Sequence, residues 1–376
     1  MGETTFLNGK QQTRDLSDHW DRMSKWVSQR FGQDGAATLT SLEPTPLSAN
    51  GFAGESFILE MTRERAGVKE AERYLLKRKP TEHRFFPEHD FETEYRIQEV
   101  LSASRLAPVA PVLGYEADPE ILGSPFYLIS FVPGRPAPDN PIYYREGWLA
   151  DLSPEDQKAV CTSGLQALAK LHSVPLEQTG ADFLRRNKSG LQIDWDLAYW
   201  DRYAAVSWEG RPLGRLSDGR AWLDANKPQT EQLVISWGDA RPGNMLFDGT
   251  RCRAIIDWDM ASSGDREKDL GYLLAMDHQA QLVAEGDGGS RLQGWPSRKE
   301  MVEIYEAAAG KPADRKKLRF HRIFAAYQIA CMYSRYVVMR PELDPETRAR
   351  FLDEGAPPID LMRRELDAAD LPGCAN

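Results

Sequence analysis

No hydrophobic run in this sequence is long enough to cross a bilayer. Nowhere in its 376 residues do apolar side chains approach the roughly 18 consecutive positions a membrane helix takes. Cysteine is scarce. Cys161, Cys252, Cys331 and Cys374 are scattered without a CxxC pair, which excludes a thiolate zinc site and a dense disulfide framework and makes reduced thiols in a cytoplasmic protein the expectation. Positive charge is in deficit: 47 Lys and Arg stand against 57 Asp and Glu, a net charge of −10. A nucleic-acid partner demands concentrated basic residues, so none is expected, and no membrane partner either. The stretch from Met1 to Arg30 is polar and charged, unlike a secretory signal. There is no internal repeat, no long low-complexity tract and no G-x-x-x-x-G-K-[ST] phosphate loop.

What is present is the composition of an ordinary globular protein, 41% hydrophobic and 28% charged. At about 100–200 residues per domain the length suggests two domains or lobes. Leu16, Trp20, Met23 and Val27 fall at helical spacing between Asp15 and Phe31. From about Leu42 to Val132 the texture is strand-like. Phe57-Ile58-Leu59 and Tyr74-Leu75-Leu76 flank a charged turn from Arg63 to Glu70; a helix follows with Phe91, Tyr95, Ile97, Val100 and Leu101 as its apolar positions; then come the run Ala107–Val112 and a strand from Phe126 to Val132. This order predicts an α+β unit with a largely antiparallel sheet. After Pro141 the pattern turns helical, interrupted by two short strands between Val234 and Asp259, and it is helical again from Glu267 to Leu371. The expected division is an N-terminal helical extension (1–41), an N-terminal nucleotide-binding lobe (42–132), a linker (133–141) and a larger helical C-terminal lobe (142–376), with the active site in the crevice between lobes.

The chemistry-bearing stretch is Ser236-Trp237-Gly238-Asp239-Ala240-Arg241-Pro242-Gly243-Asn244, followed by Ile255-Ile256-Asp257-Trp258-Asp259. Asp239 follows an apolar strand, Asn244 comes past a Pro-Gly turn, and Asp257 ends a second apolar strand. Asn244 and Asp257 offer the hard oxygens that Mg²⁺ takes at phosphate sites, where it is held by one or two carboxylates plus substrate phosphates. Asp239 is left to accept a proton from an attacking hydroxyl. Protein kinases use this layout: a base Asp, an Asn some residues on, and a separate metal-binding Asp. Arg241 would stand where a cation offsets charge on the transferred phosphoryl group. An isolated Asp after a strand is more often a cap; the composite is what points to phosphoryl transfer.

The upstream region holds the other parts that this chemistry needs. Lys77, at the end of Tyr74-Leu75-Leu76-Lys77, could neutralise the α- and β-phosphates of ATP, and Glu94 on the next helix could hold it by an ion pair. For Lys77 a solvated basic run is the rival, since Arg78 and Lys79 follow. The stretch Ser48 to Ser56, with Asn50 and Ser56 as its polar contacts, would be the phosphate-covering turn. Leu128-Ile129-Ser130-Phe131-Val132 would supply backbone at Ser130 and apolar surface at Val132 to adenine.

These motifs make the sequence similar to the aminoglycoside phosphotransferase and choline kinase-like family, which shares the protein-kinase fold. The resemblance runs from about Leu42 to Met276 and is closest to a bacterial branch related to the kinase-like domain of acyl-CoA dehydrogenase fusion proteins. It is carried by Glu94-Tyr95-Arg96, Ala107-Pro108-Val109-Ala110-Pro111, Leu122 to Tyr127, Phe131-Val132-Pro133-Gly134, Leu168 to His172, and the Asp239 and Asp257 motifs. Two positions depart from the family pattern: Trp237 stands where a histidine is usual, and Asp259 where the family commonly has glutamate. The resemblance implies a bilobal protein-kinase-like α+β fold and ATP- and Mg²⁺-dependent phosphorylation of a hydroxyl on a small molecule. It also implies Asp259 as a shorter auxiliary metal ligand, Asp269 as a structural cap, and an acceptor pocket in the helical lobe. Candidates there are Trp195, Tyr199 and Trp200 in the aromatic, acidic stretch from Asp194 to Asp201, then His278, Tyr327 and Arg335; core packing is the rival reading for the three aromatics. A non-catalytic nucleotide-binding protein of the same fold remains an alternative. A protein kinase is a weaker one, since no Ala-Pro-Glu motif follows Asp257. A monomer or homodimer is expected.

Overall fold

The computed structural model describes residues 16–45, 55–80, 85–88, 90–187, 190–208, 214–286, 288–340, 342–352 and 356–368. They divide into two compact units: the first comprises the chain through Ala103 together with Ala110–Val132, and the second Ser104–Val109 together with the chain from Pro133 onward.

The first unit is built on a five-stranded antiparallel sheet. Helix α1 (Trp20–Phe31) precedes β1 (Ala37–Pro44), β2 (Glu55–Arg65) and β3 (Val68–Arg78); α2 (Phe91–Ser104), β4 (Val112–Glu116), α3 (Pro119–Leu122) and β5 (Phe126–Ser130) complete it. The strand order is β1-β2-β3-β5-β4. Helix α1 turns Met23, Val27 and Phe31 inward, one helical turn apart, onto Leu39, Phe57, Leu59, Leu76 and Phe126. The stripe differs from the expected one at its ends, because Trp20 is exposed and Phe31 closes it. The boundary expected at Leu42 falls inside β1, whose pairing with β2 makes it part of this sheet rather than of a helical extension. The supposed charged turn Arg63 to Glu70 is mostly strand. Only Ala66 and Gly67 turn, both at positive φ, as a tight hairpin with Arg65 opposite Val68 requires. The outer hairpin lacks apolar alternation because cross-strand ion pairs replace it: Arg63 with Glu72 at 3.6 Å, Arg65 with Glu72 at 3.2 Å, and Arg73 with Glu60 at 2.6 Å.

The second unit is mostly helical. It holds α4 (Pro154–Leu171), α5 (Gln192–Trp208), α6 (Arg215–Ala225), β6 (Val234–Ser236), β7 (Met245–Asp248), β8 (Arg251–Ile255), β9 (Ser262–Gly264), α7 (Glu267–Gly286), α8 (Arg298–Ala309), α9 (Arg315–Val338), α10 (Pro345–Leu352) and α11 (Pro357–Ala368). Helix starts carry their own signals. Ser153 accepts the Asp156 N–H with Pro154 at the first helical position, Ser297 and Glu300 form a capping box, and Asp314 accepts the N–H groups of Lys316 and Lys317. Two small antiparallel sheets, β6 with β9 and β7 with β8, are set among these helices. Cys161, Cys252 and Cys331 are buried and unbridged, while Cys374 lies outside the described residues. No helix among the described residues is long and apolar enough to cross a membrane.

Leu59 is fully buried at the centre of the first unit's core. Replacing it by alanine is expected to destabilise that unit by about 2–5 kcal/mol, the transfer and cavity cost of such a truncation, as read by chemical denaturation.

Candidate functional site

The second unit builds its site on a loop between β6 and β7 and on the segment that follows β8. Strand β6 lies against β9, with Val234 opposite Gly264 and Ser236 opposite Ser262. The chain then runs through Trp237 and Gly238 to Asp239. One buried carboxylate, Asp269 in the first turn of α7, fixes this exit. It accepts from Ser236 Oγ at 2.8 Å, Trp237 N–H at 2.7 Å and Gly238 N–H at 2.8 Å, and from His172 Nε2 at 2.9 Å. His172, at the end of α4, is oriented from its other side by the Tyr305 hydroxyl at 2.8 Å. Burial alone would push the Asp269 carboxyl up. His172 and the two backbone N–H groups outweigh it and hold the carboxyl below its usual range.

Asp239 is the centre of the loop. Arg241 Nε lies 3.2 and 3.1 Å from its two oxygens, and Asn244 Nδ2 donates to Oδ2 at 2.6 Å. Tyr272 is buried within the field of the same carboxylate, and burial first, then the Asp239 charge, drives the Tyr272 phenol well above its ordinary range. Tyr272 therefore stays protonated. Arg241 reaches the other way to Asp139 through Nη1. Burial opposes the Arg241 charge, and Asp139 and Asp239 together more than offset that, so the guanidinium stays protonated.

The β7–β8 hairpin brings the expected metal ligands to one end. Met245 pairs with Ile255, and the Ile256 N–H donates to the Asn244 carbonyl at 2.9 Å, so Asn244 and Asp257 flank the same open end of the ladder. With Asn244 Nδ2 committed to Asp239, it is Oδ1 that the amide offers to a cation. An amide oxygen and a carboxylate are the hard donors Mg²⁺ takes, so the residues present fit that ion. Asp257 sits at φ +62°, a left-handed conformation that aspartate tolerates better than most residues. Trp237 braces it: the indole N–H is shared between the Ile256 carbonyl at 3.0 Å and the Asp257 carbonyl at 2.9 Å, and the ring, fully buried, packs beside Trp258. The tryptophan at the unusual position thus ties the Asp239 loop to the Asp257 segment. Asp259 lies half-buried in the turn before β9.

In the first unit Lys77, next to last in β3, pairs directly with Glu94 of α2. Tyr127 of β5 donates to Glu94 Oε1 at 2.6 Å, and Gln98 Nε2 donates to the Tyr127 hydroxyl at 2.5 Å. The rival reading of Lys77 as part of a solvated basic run does not hold, because Arg78 is itself buried, paired with Glu55 and bonded to the Leu122 carbonyl. Ser56 lies opposite Lys77 in the β2–β3 register. The Ser130 N–H is already donated to Pro111 at 2.8 Å, so it is no donor for adenine; Val132 packs against Phe91, Ala110, Tyr127 and Ile129. Asn50 lies outside the described residues.

The acceptor candidates divide. Trp195 and Tyr199 stack at 5.6 Å and are partly exposed, with the Arg186 and Arg202 guanidinium groups over their rings. Trp200 and Tyr327 are buried packing groups: Trp200 lies against Tyr203, and the Tyr327 hydroxyl points to Asp201 at 3.4 Å. His278 is tied to Glu365 at 2.6 Å, a carboxylate that Arg322 also holds, and this joins α7 to α11. Arg335 is half-buried on α9. Sequence reasoning missed Asp139, Tyr272, Tyr127 and Gln98. Only Tyr272 had a local signal, lying three residues after Asp269 on one helix face.

Replacing Asp269 by asparagine removes a buried charge and turns an N–H toward donors. It is expected to cost about 3–5 kcal/mol at pH 7 in chemical denaturation. The Asp269 carboxyl is depressed in the folded protein, so its stabilisation is complete above the unfolded value of about 3.9 and is lost as pH falls through the lower folded value. The gap between the two proteins should therefore narrow below about pH 4.

Comparison with known proteins relates the chain to a family and a fold. Residues 61–301 match the sequence profile of the phosphotransferase enzyme family. A relative from Arabidopsis thaliana, named a probable acyl-CoA dehydrogenase, is 26% identical over 356 residues; the match takes in 89% of this chain but 40% of that protein, so the chain spans well under half of its relative's length. Among solved structures, a protein from Ralstonia eutropha described as an aminoglycoside phosphotransferase shares the fold at a TM-score of 0.63 and 20% identity, covering 93% of this chain and 95% of the other. The ADP-bound aminoglycoside phosphotransferase APH(2'')-Ib shares it at 0.53 and 12% identity, covering 93% and 98%. With its profile match reaching across both units, the chain belongs to the phosphotransferase enzyme family.

Proposed function

We propose that this protein is an ATP- and Mg²⁺-dependent phosphotransferase that moves the γ-phosphoryl group to a hydroxyl of a small molecule. One observation carries the reading: Asp239 is held by Arg241 and Asn244 while Asn244 and Asp257 flank the same hairpin end. That is a proton acceptor beside a pair of hard oxygen donors. The acceptor oxygen would attack Pγ, the bond from Pγ to the β–γ bridging oxygen would break, ADP would leave, and the hydroxyl proton would pass to Asp239. The transition state is loose, so Asp239 serves first to orient the hydroxyl and takes the proton late. Asn244 and Asp257 would hold the magnesium ion, which neutralises charge on the phosphates. Lys77, fixed by Glu94, would neutralise the α- and β-phosphates. A structural relative solved with ADP supports nucleotide use.

The acceptor follows less directly. Aminoglycosides belong on the screen because structural relatives act under that name. Hydroxylated acyl-CoA thioesters join them because a curated relative is named an acyl-CoA dehydrogenase. The departure at Trp237 is the feature that would favour a non-catalytic nucleotide-binding protein. Against that, its indole N–H still bridges to the Asp257 backbone.

Asp239→Asn is expected to lower Mg·ATP turnover about 10²–10⁴-fold, the usual loss on removing a general base, while calorimetric ATP affinity stays nearly unchanged. Wild-type turnover in that variant would remove Asp239 from the mechanism.

A further inference from the structure

We propose that Asp139 is a positioning residue for the catalytic loop: through Arg241 it sets where the Asp239 carboxylate stands, an inference that rests on the phosphotransferase reading for what the loop does. Arg241 meets Asp239 only through Nε, shared between both oxygens at 3.2 and 3.1 Å. That one N–H is divided between two oxygens, while Asn244 Nδ2 fixes Oδ2 alone at 2.6 Å, so the Arg241 side of the carboxylate is only as well placed as the guanidinium itself. The guanidinium is planar and rigid, so anchoring one edge aims the other. Asp139 is that anchor, bonded to Nη1.

Asp139 is itself delivered on a segment knitted to the loop. Arg135 and Phe247 exchange backbone hydrogen bonds at 2.8 and 3.0 Å, the Ala137 N–H donates to the Pro242 carbonyl at 3.3 Å, and the Trp148 indole donates to the Pro136 carbonyl at 2.7 Å. A backbone bridge between Asp139 and Ile142 fixes the turn that follows. The loop is shaped to receive the pair. A Cβ at Gly243 would lie 2.4 Å from Arg241 Nη1 and 2.6 and 2.8 Å from the two Asp139 oxygens. Gly243 is not among the glycines at positive φ, so a side chain there would meet no backbone twist and would instead displace the tips of this ion pair. The glycine between Arg241 and Asn244 thus leaves room for a partner that comes from about a hundred residues upstream in the chain.

The assignment also changes the part given to Arg241. Two of its donor positions serve carboxylates, so its work is to aim Asp239 as much as to face the phosphoryl group. Misplacing a reacting group by about 1 Å can cost about 10²-fold in rate. Loss of the anchor should therefore appear in turnover rather than in nucleotide binding.

The test uses the full chain. Asp139→Ala and the isosteric Asp139→Asn are measured for Mg·ATP turnover, with slow hydrolysis to water as the fallback acceptor, and for thermal midpoint. The expected result is a kcat about 10–100-fold lower with KM for ATP unchanged. It should be non-additive with Arg241→Gln, in whose background the Asp139 substitution costs nothing further. A second readout needs no turnover: the ¹⁵N-detected Nε–H signal of Arg241, assigned by its loss in Arg241→Gln, should shift in Asp139→Asn. If Asp139→Ala fails to fold, Asp139→Asn carries both arms. A kcat within about twofold of wild type in a folded variant, effects that simply multiply with Arg241→Gln, or an unmoved Nε–H signal would each overturn the assignment. Should the wild-type protein turn over no ATP at all, the phosphotransferase reading fails, and the Nε–H signal alone decides whether Asp139 aims Arg241.

Discussion

A fully buried carboxylate organises the second unit. Asp269 has two oxygens and spends them on four donors: a side-chain hydroxyl, two consecutive backbone N–H groups and a histidine. An ionised group in that position is costly unless every lone pair is used. Here the use is structural. The two backbone N–H groups are those of Trp237 and Gly238, the residues immediately before Asp239, so satisfying the buried charge also fixes the direction in which the chain enters the Asp239 loop. His172 and Tyr305 extend the same chain of bonds to α4 and α8. The loop's conformation is thereby tied to the packing of three helices.

A second constraint comes from β-ladder geometry. Asn244 and Asp257 are distant neither in sequence nor in space, because the β7–β8 hairpin returns the chain to its own start. Register sets Asn244 opposite Ile256, one residue before Asp257, and the Trp237 indole then braces the Asp257 backbone in its left-handed conformation. The first unit solves a parallel problem. There, Lys77 lies in a largely buried setting, and a line of hydrogen bonds through Glu94, Tyr127 and Gln98 holds it in place.

Periodicity exposed much of this in advance. Strand pairs, the α2 stripe and the mostly helical C-terminal region follow from period-two and period-3.6 patterns, and the spacing from Asp239 to Asn244 is a local motif. What stayed hidden depends on contacts across long sequence separations or on ion pairs in place of apolar alternation. The outer β2–β3 hairpin reads as a charged turn because Glu60, Glu72, Arg63 and Arg73 stabilise it by cross-strand charge. Asp139 lies in a proline-rich stretch with no pattern of its own, and its partner is Arg241. Trp200 and Tyr327 invite a ligand reading because aromatics suit both pockets and cores; burial separates the two, and a single sequence does not reveal burial.

The central claim is that the Asp269-anchored loop presents Asp239 for phosphoryl transfer. The most direct measurement is ³¹P NMR of the wild-type protein with Mg·ATP, first in water alone and then with hydroxylated acceptors. The account predicts that the γ-phosphate signal is consumed, that ADP accumulates, and that a phosphate monoester appears when a suitable hydroxyl is present, with inorganic phosphate as the slow product in water. Nucleotide that binds tightly yet keeps its γ-phosphate intact under every one of these conditions would contradict it.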